Sequence, residues 1–223
     1  MLFRSAALKA DATVVVWGSN VEGQCNVPTT LSGVSQIAAG GYHTVALKLD
    51  GSVVAWGSNL DFHFSSEVGQ SNVPANLPSV KWVGAGLAHS LVVLSNGQVR
   101  AWGLNNVGQC LGSDSAGNPI TGPAVGTTSV RVRGSTLSGV VQVSGGVGHS
   151  VALRSTGTVV AWGEAGTFKV TTPPAGLSGV TRIATYPNSA GAPGAAPTIA
   201  ATWARMRAIR SATRSEEHTS ELQ

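Results

Sequence analysis

The stretch Leu31–Asn59 (LSGVSQIAAGGYHTVALKLDGSVVAWGSN) returns at Leu77–Asn105 and again, one residue shorter, at Leu137–Glu164. In every copy Leu to His is 12 residues, His to Trp is 13, and a Gly stands 5 before the Trp. The anchors are Leu31/Leu77/Leu137, His43/His89/His149, Gly51/Gly97/Gly157 and Trp56/Trp102/Trp162. Fixed spacing inside copies, with variable spacing between them, identifies one supersecondary unit repeated. Such a unit cannot bury its own apolar face, so the copies must pack against one another.

Two partial copies flank the three. Ala7–Gly18 matches Ala46–Gly57 at an offset of 39 and carries Trp17, while Leu177–Ala184 begins a further copy. The repeats therefore lie near 7–18, 31–59, 77–105, 137–164 and 177–184. Each reads as strand, Gly loop, strand, tight turn, strand. Val34–Ala39 is a short apolar run ending at Gly40–Gly41. Thr44–Leu49 is predicted to carry Val45, Leu47 and Leu49 on one face at period 2. Asp50–Gly51 and Asn96–Gly97 read as type I′ hairpin turns, and Thr156–Gly157 keeps the Gly. A fourth strand is expected near Asn26–Pro28 and Asn72–Pro74, where NVP recurs, confined to an edge by its proline. Trp-to-Trp intervals of 39, 46 and 60 place the extra residues after each Trp-Gly, so insertions should gather on one face.

Composition agrees. Glycine, 29 of 223 residues, is about twice its usual ~7% share, and charged residues are only 11%. No apolar run of ~18 residues exists, so no membrane span is expected. Both ends resemble translated sequencing adapters: RSEEHTSELQ at 214–223 and MLFRS at 1–5. Residues 1–5 and 214–223 are accordingly set aside. Residues 6–184 are the expected partial propeller; 185–213, Ala/Pro/Arg-rich, are expected to be irregular or out of frame, with poor order from Thr185 onward. The basic pI of 9.5 comes largely from Arg205, Arg207 and Arg210, beyond the last good repeat, so no nucleic-acid partner is expected.

Candidate chemistry is sparse. Three histidines invite a metal site, but equivalent positions in successive repeats point alike around a ring and need not converge. No metal and no cofactor is expected. Cys25 and Cys110 occupy equivalent GQC positions in different repeats, too far apart for a disulfide, and read as small buried fillers. SDSAGNP at Ser113–Pro119 has no orienting carboxylate partner, so no triad is supported. Gly84–Ala85–Gly86 precedes a strand, the wrong context for a dinucleotide loop. No paired carboxylate recurs, and no catalytic residue is assigned. Residues unique to single copies are Phe62, His63, Phe64 and Glu67, and separately Arg131 and Arg133. Aromatic and Arg side chains on variable loops suit a protein-binding surface.

The unit V-x-x-[IV]-[AS]-[AG]-G-x-x-H-[ST], followed by [DN]-G-x-V-x-[AV]-W-G-x-N and G-Q, resembles the repeat of the regulator of chromosome condensation family. The resemblance covers roughly residues 7–184, and the short repeats with NVP look like its bacterial branch. It implies an all-β fold, a β-propeller of four-stranded antiparallel blades. With three complete and two partial units, this chain should form an open ring of about four blades. The resemblance places His43, His89 and His149 in loops at one face, where they either contact a partner or order their own loops. Trp17, Trp56, Trp102 and Trp162, with Gly51, Gly97 and Gly157, are read as structural. The function it implies is a non-enzymatic protein-binding scaffold, with a guanine-nucleotide exchange factor and a recognition domain of a bacterial surface protein as alternatives. If the source is bacterial, a secreted or cell-surface location is expected. Expressed alone, an open ring with bare edges should be poorly soluble or oligomeric.

Overall fold

The structure, a computed structural model, describes residues 4–61, 66–164 and 171–185. Among these residues there are strands and turns and no helix. The strands are β1 (Arg4–Leu8), β2 (Val14–Gly18), β3 (Val34–Ala39), β4 (His43–Lys48), β5 (Val53–Gly57), β6 (Val80–Ala85), β7 (His89–Leu94), β8 (Val99–Gly103), β9 (Ala124–Ser129), β10 (Arg131–Val132), β11 (Ser135–Thr136), β12 (Val140–Gly145), β13 (His149–Arg154) and β14 (Val159–Gly163). They pair antiparallel into sheets β1-β2, β3-β4-β5, β6-β7-β8-β9, β10-β11 and β12-β13-β14. Each complete sequence copy is thus one blade whose strands follow in chain order. β1 and β2 stand in the registers of β4 and β5, and β1 starts inside the stretch set aside on codon grounds.

The period-2 reading of the middle strand was too simple. Val45 is wholly buried and Leu47 nearly so, but β4 is buried on both faces and Leu49 is 75% exposed in the turn. A middle strand in a stack of sheets has a neighbour on each side, so both faces become apolar or hydrogen-bonded. One interface packs Val45 and Leu47 of β4 against Val80, Val83 and Ala85 of β6, with Val92, Leu94 and Trp102 behind them. The next packs Leu91, Val93, Val99 and Ala101 against Val140, Val143 and Trp162. Each buried Val or Leu contributes about 1.5–3 kcal/mol. The first strands of successive sheets, β3, β6 and β12, are neighbours, and the glycine loops that follow them bond from sheet to sheet, Gly41 N–H to Gly86 O at 3.0 Å and Leu87 N–H to Gly146 O at 2.9 Å. Among the described residues the arc stays open.

The hairpin turn is not type I′. That turn needs two residues at positive φ, and here only Gly51 has it, at 81°. Lys48 O accepts from Gly51 N–H at 3.0 Å, and Lys48 N–H donates to Ser52 O at 2.9 Å. This is a three-residue loop closed by a left-handed Gly, and Gly97 and Gly157 repeat it. The Gly also touches the next blade: Gly97 O accepts from Val140 N–H at 3.0 Å. In the first sheet the same position is Ala12, at φ 60°.

The NVP segments form no strand. Cys25–Val27 and Ser71–Val73 make tight turns instead, and Pro28 and Pro74 have no N–H to offer a ladder. A fourth strand forms only in the third sheet, where the Leu111–Thr136 insertion supplies the longer β9. Four-stranded pairing is therefore seen once among the described residues.

Candidate functional site

Every complete blade boundary contains the same polar circuit. The Gln24, Gln70 and Gln109 carbonyls accept from the indole N–H of Trp56, Trp102 and Trp162 at 3.1, 3.0 and 2.9 Å. The same carbonyls accept from the hydroxyls of Thr44, Ser90 and Ser150 at 3.0, 2.8 and 2.8 Å. Those hydroxyls face the preceding blade: His43 Nε2 meets Ser90 Oγ at 2.9 Å and His89 Nε2 meets Ser150 Oγ at 3.0 Å. A hydroxyl has one proton, already donated to the Gln carbonyl, so it accepts from the imidazole. The histidine proton therefore sits on Nε2, leaving Nδ1 of His43 and His89 buried without a partner.

Burial holds these histidines neutral. The pKa of His43 and of His89 falls to about 3, chiefly through desolvation, with smaller effects of Arg4 on His43 and of neighbouring histidines. That of His149 is lowered by desolvation as well. His43 and His89 are fully buried and His149 is 6% exposed. His43 and His89 join blades from the interior and, wholly buried, have no surface through which to contact a partner; His149 Nε2 is buried without a partner among the described residues. No group of three His, Cys, Asp or Glu side chains among the described residues is placed to hold a metal ion.

In the first sheet the His register is taken by Arg4. Its guanidinium reaches Thr44 Oγ1, the Gly40 carbonyl at 2.7 Å and the His43 carbonyl. Burial lowers its pKa to about 10. Arg4 and the Gln and Ser/Thr members of the circuit were not singled out from sequence. The available signal was the Ser or Thr that follows each repeat His, and the Gln that precedes each NVP or Cys.

Trp56, Trp102 and Trp162 are 8%, 1% and 2% exposed, but Trp17 is 53% exposed. The burial expected of Trp17 fails because no Gln carbonyl segment covers it. Cys110 is buried, which pushes its thiol pKa up, whereas Cys25 is only half-buried. Their thiols lie against the carbonyls of Leu104 and Ser19. Ser113–Pro119 is a hairpin in which Asp114 caps its own turn, accepting from Ala116 and Asn118 N–H; these bonds hold its carboxyl below the usual range. Phe62, His63 and Phe64 lie outside the described residues, as does everything after Thr185 on which poor order was expected.

The irregular feature is a groove of about 550 Å³ on the third sheet. Arg100 of β8, Thr127, Thr128 and Ser129 of β9 and Arg131 of β10 line it, with Leu111 and Ile120 at its side. Arg133 is exposed beside it, its backbone N–H donating to Ser113 Oγ at 2.9 Å and its φ at 51°. The ion pairs among the described residues, Lys9–Asp11 and Lys48–Asp50, both lie in hairpin turns. Among the described residues no carboxylate pairs with Arg100, Arg131 or Arg133.

Residues 34–62, 80–109 and 140–167 match the Regulator of chromosome condensation (RCC1) repeat. No curated protein sequence matches the chain. Among solved structures, Prp20p from Saccharomyces cerevisiae is similar at 21% identity and a TM-score of 0.56, covering 77% of this chain and 45% of its own. Human WBSCR16 is similar at 21% identity and 0.53, covering 72% and 44%. The ectodomain of receptor kinase CR4 from Physcomitrella patens is similar at 15% identity and 0.51, covering 82% and 43%. The chain spans less than half the length of each, and at these identities the likeness speaks for the fold. The three segments are regulator of chromosome condensation repeats, and the chain is an open β-propeller built from them.

Proposed function

We propose that this chain is a non-enzymatic protein-binding scaffold, and that it takes an acidic segment of its partner in the groove of Arg100 and Arg131. The observation behind this reading is that Arg100 and Arg131 line one groove beside the inserted strands, with no ion pair to either among the described residues. Arg suits the role because its planar fork binds carboxylates bidentately. Prp20p has binding properties towards Gsp1p and histones, which makes protein the first partner class to test.

Fluorescence anisotropy with labelled acidic, neutral and basic peptides tests the reading directly. Acidic peptides should bind preferentially, more weakly as salt rises, and an Arg131→Glu/Arg133→Glu variant should lose about tenfold in affinity, the scale of one or two charge-assisted contacts. Equal binding of all three peptides, or an unchanged double variant, would refute it. A DNA oligonucleotide bound more tightly than any peptide would also refute it. Stimulated nucleotide release from a panel of small GTPases would favour the exchange-factor reading instead.

A further inference from the structure

The donors of the groove beside β9 say which kind of acid it suits. Two guanidiniums line it, Arg100 and Arg131, together with the hydroxyl residues Thr127, Thr128, Ser129 and Thr136, and no Asp or Glu. Arg100 stands opposite Ser129 across the β8–β9 ladder. Only Val130 separates Ser129 from Arg131, so one short stretch of chain brings both kinds of donor to the same place.

These groups have bonding capacity to spare. Arg100 Nε is buried with no partner among the described residues. Neither arginine is in an ion pair there. Ser129 Oγ donates to Gln98 Oε1 at 3.0 Å. The Thr127, Thr128 and Thr136 hydroxyls make no side-chain hydrogen bond among the described residues. Two like charges therefore line one groove with nothing between them to offset their repulsion.

A carboxylate would offset only half of that charge, and its planar pair of oxygens is satisfied by a single arginine fork. A phosphate monoester carries about −1.5 to −2 charges at pH 7 and three strong acceptor oxygens. It matches both guanidiniums in charge and still has lone pairs for hydroxyl donors. The phosphodiester of a nucleic acid carries one charge per phosphate, and single strands bind by stacking bases on aromatic side chains; no aromatic residue lines this groove. At about 550 Å³ the space falls within the ~300–1,000 Å³ typical of ligand clefts, enough for a phosphorylated side chain with an apolar neighbour against Leu111 and Ile120.

We propose that the groove recognises a phosphorylated side chain of a partner protein, with Arg100 and Arg131 on the phosphate oxygens and the β9 and β11 hydroxyls completing its shell. The proposal rests on the acidic-partner reading and narrows it from any acid to a dianionic one.

Fluorescence anisotropy on the full chain tests it with three labelled peptides of one sequence, carrying phosphoserine, Glu or Ser at the centre. The phosphoserine peptide should bind at least about tenfold tighter than the Glu peptide, the scale of one added charge-assisted contact, and the Glu peptide tighter than the Ser peptide. Equal binding of the phosphoserine and Glu peptides, both above Ser, would overturn this proposal and leave the acidic-segment reading standing. Equal binding of all three would overturn both. Arg131 is exposed, so Arg131→Gln should keep the far-UV circular dichroism spectrum and reduce the phosphoserine preference over Glu to about threefold or less. An unchanged preference in that variant would overturn the assignment to this groove. A single-stranded DNA oligonucleotide that displaces the labelled phosphopeptide at lower concentration than unlabelled phosphopeptide does would overturn the proposal in favour of nucleic acid.

Discussion

Trp102 and Trp17 occupy one motif position but have opposite environments, so their replacement by Ala separates packing from motif. Trp102 is 1% exposed and donates to Gln70 O at 3.0 Å. Its removal leaves that carbonyl its bond from Ser90, so the loss is mainly apolar burial and the cavity left behind. A Trp buries about 150–250 Å², and Trp→Ala in a core costs about 3–5 kcal/mol. Trp17 is 53% exposed, so half the contact area is absent and Trp17→Ala should cost about 1–2 kcal/mol. Urea unfolding followed by far-UV circular dichroism at low protein concentration measures both. With m of about 1–3 kcal/mol/M, Trp102→Ala should lower the midpoint by a molar or more and Trp17→Ala by a fraction of that. Equal costs would refute the assignment of the blade interface.

Four further outcomes follow from the geometry. Ala12→Gly should raise stability by about 0.5–1 kcal/mol in the same urea assay, since a left-handed Ala costs about 1–2 kcal/mol and Gly returns part of that as unfolded-state entropy. Ser150→Ala should cost about 1–3 kcal/mol by stranding the buried Nε2–H of His89, and Ser150→Thr should restore most of it. His43 and His89, with folded pKa values of about 3 against an unfolded value near 6.5, bind fewer protons folded than unfolded below that pH. Their contribution is complete above pH ~6.5 and is lost as pH falls towards 3, by up to about 1.4 kcal/mol per pH unit per histidine; urea midpoints at pH 7.5 and 5 check the slope. A thiol reagent should label half-buried Cys25 in the native protein and reach fully buried Cys110 only on unfolding.

Much of this fold was legible because it repeats. The His-to-Trp spacing fixed strand lengths and order, and β3 and β6 match the apolar runs that signalled them. What misled was reading one copy in isolation. Asp50–Gly51 has the letters of a two-residue turn, but the loop must also reach the next blade, and a single left-handed Gly achieves both. The NVP segments have a β-branched centre, but a turn before them and a proline at the end leave no length for pairing. Trp17 shares its motif with Trp102 and lacks only a neighbour. The histidines were legible as a set, yet their role depends on a hydroxyl 47 or 61 residues away, which no local pattern reveals. The arginine groove was visible only as Arg131 and Arg133; Arg100 belongs to an ordinary repeat strand and enters the site because β9 pairs beside it.

The circuit also explains why function must be sought where the repeat breaks. Each Gln carbonyl is shared by a Trp and a hydroxyl, and each hydroxyl also binds the preceding sheet, Ser90 and Ser150 through a histidine and Thr44 through Arg4. Every one of these groups is committed, and removing the Ser90 or Ser150 hydroxyl strands a buried histidine at a cost of about 1–3 kcal/mol. Such residues are not free to vary for the sake of a ligand. The inserted strands β9 to β11 supply no member of this circuit: they extend one blade outward, with Ala124 and Val132 packed on the neighbouring core and their polar residues left outside it. Charge can be placed there without burying it. A partner's carboxylates would there meet Arg100 and Arg131, which no carboxylate pairs with among the described residues.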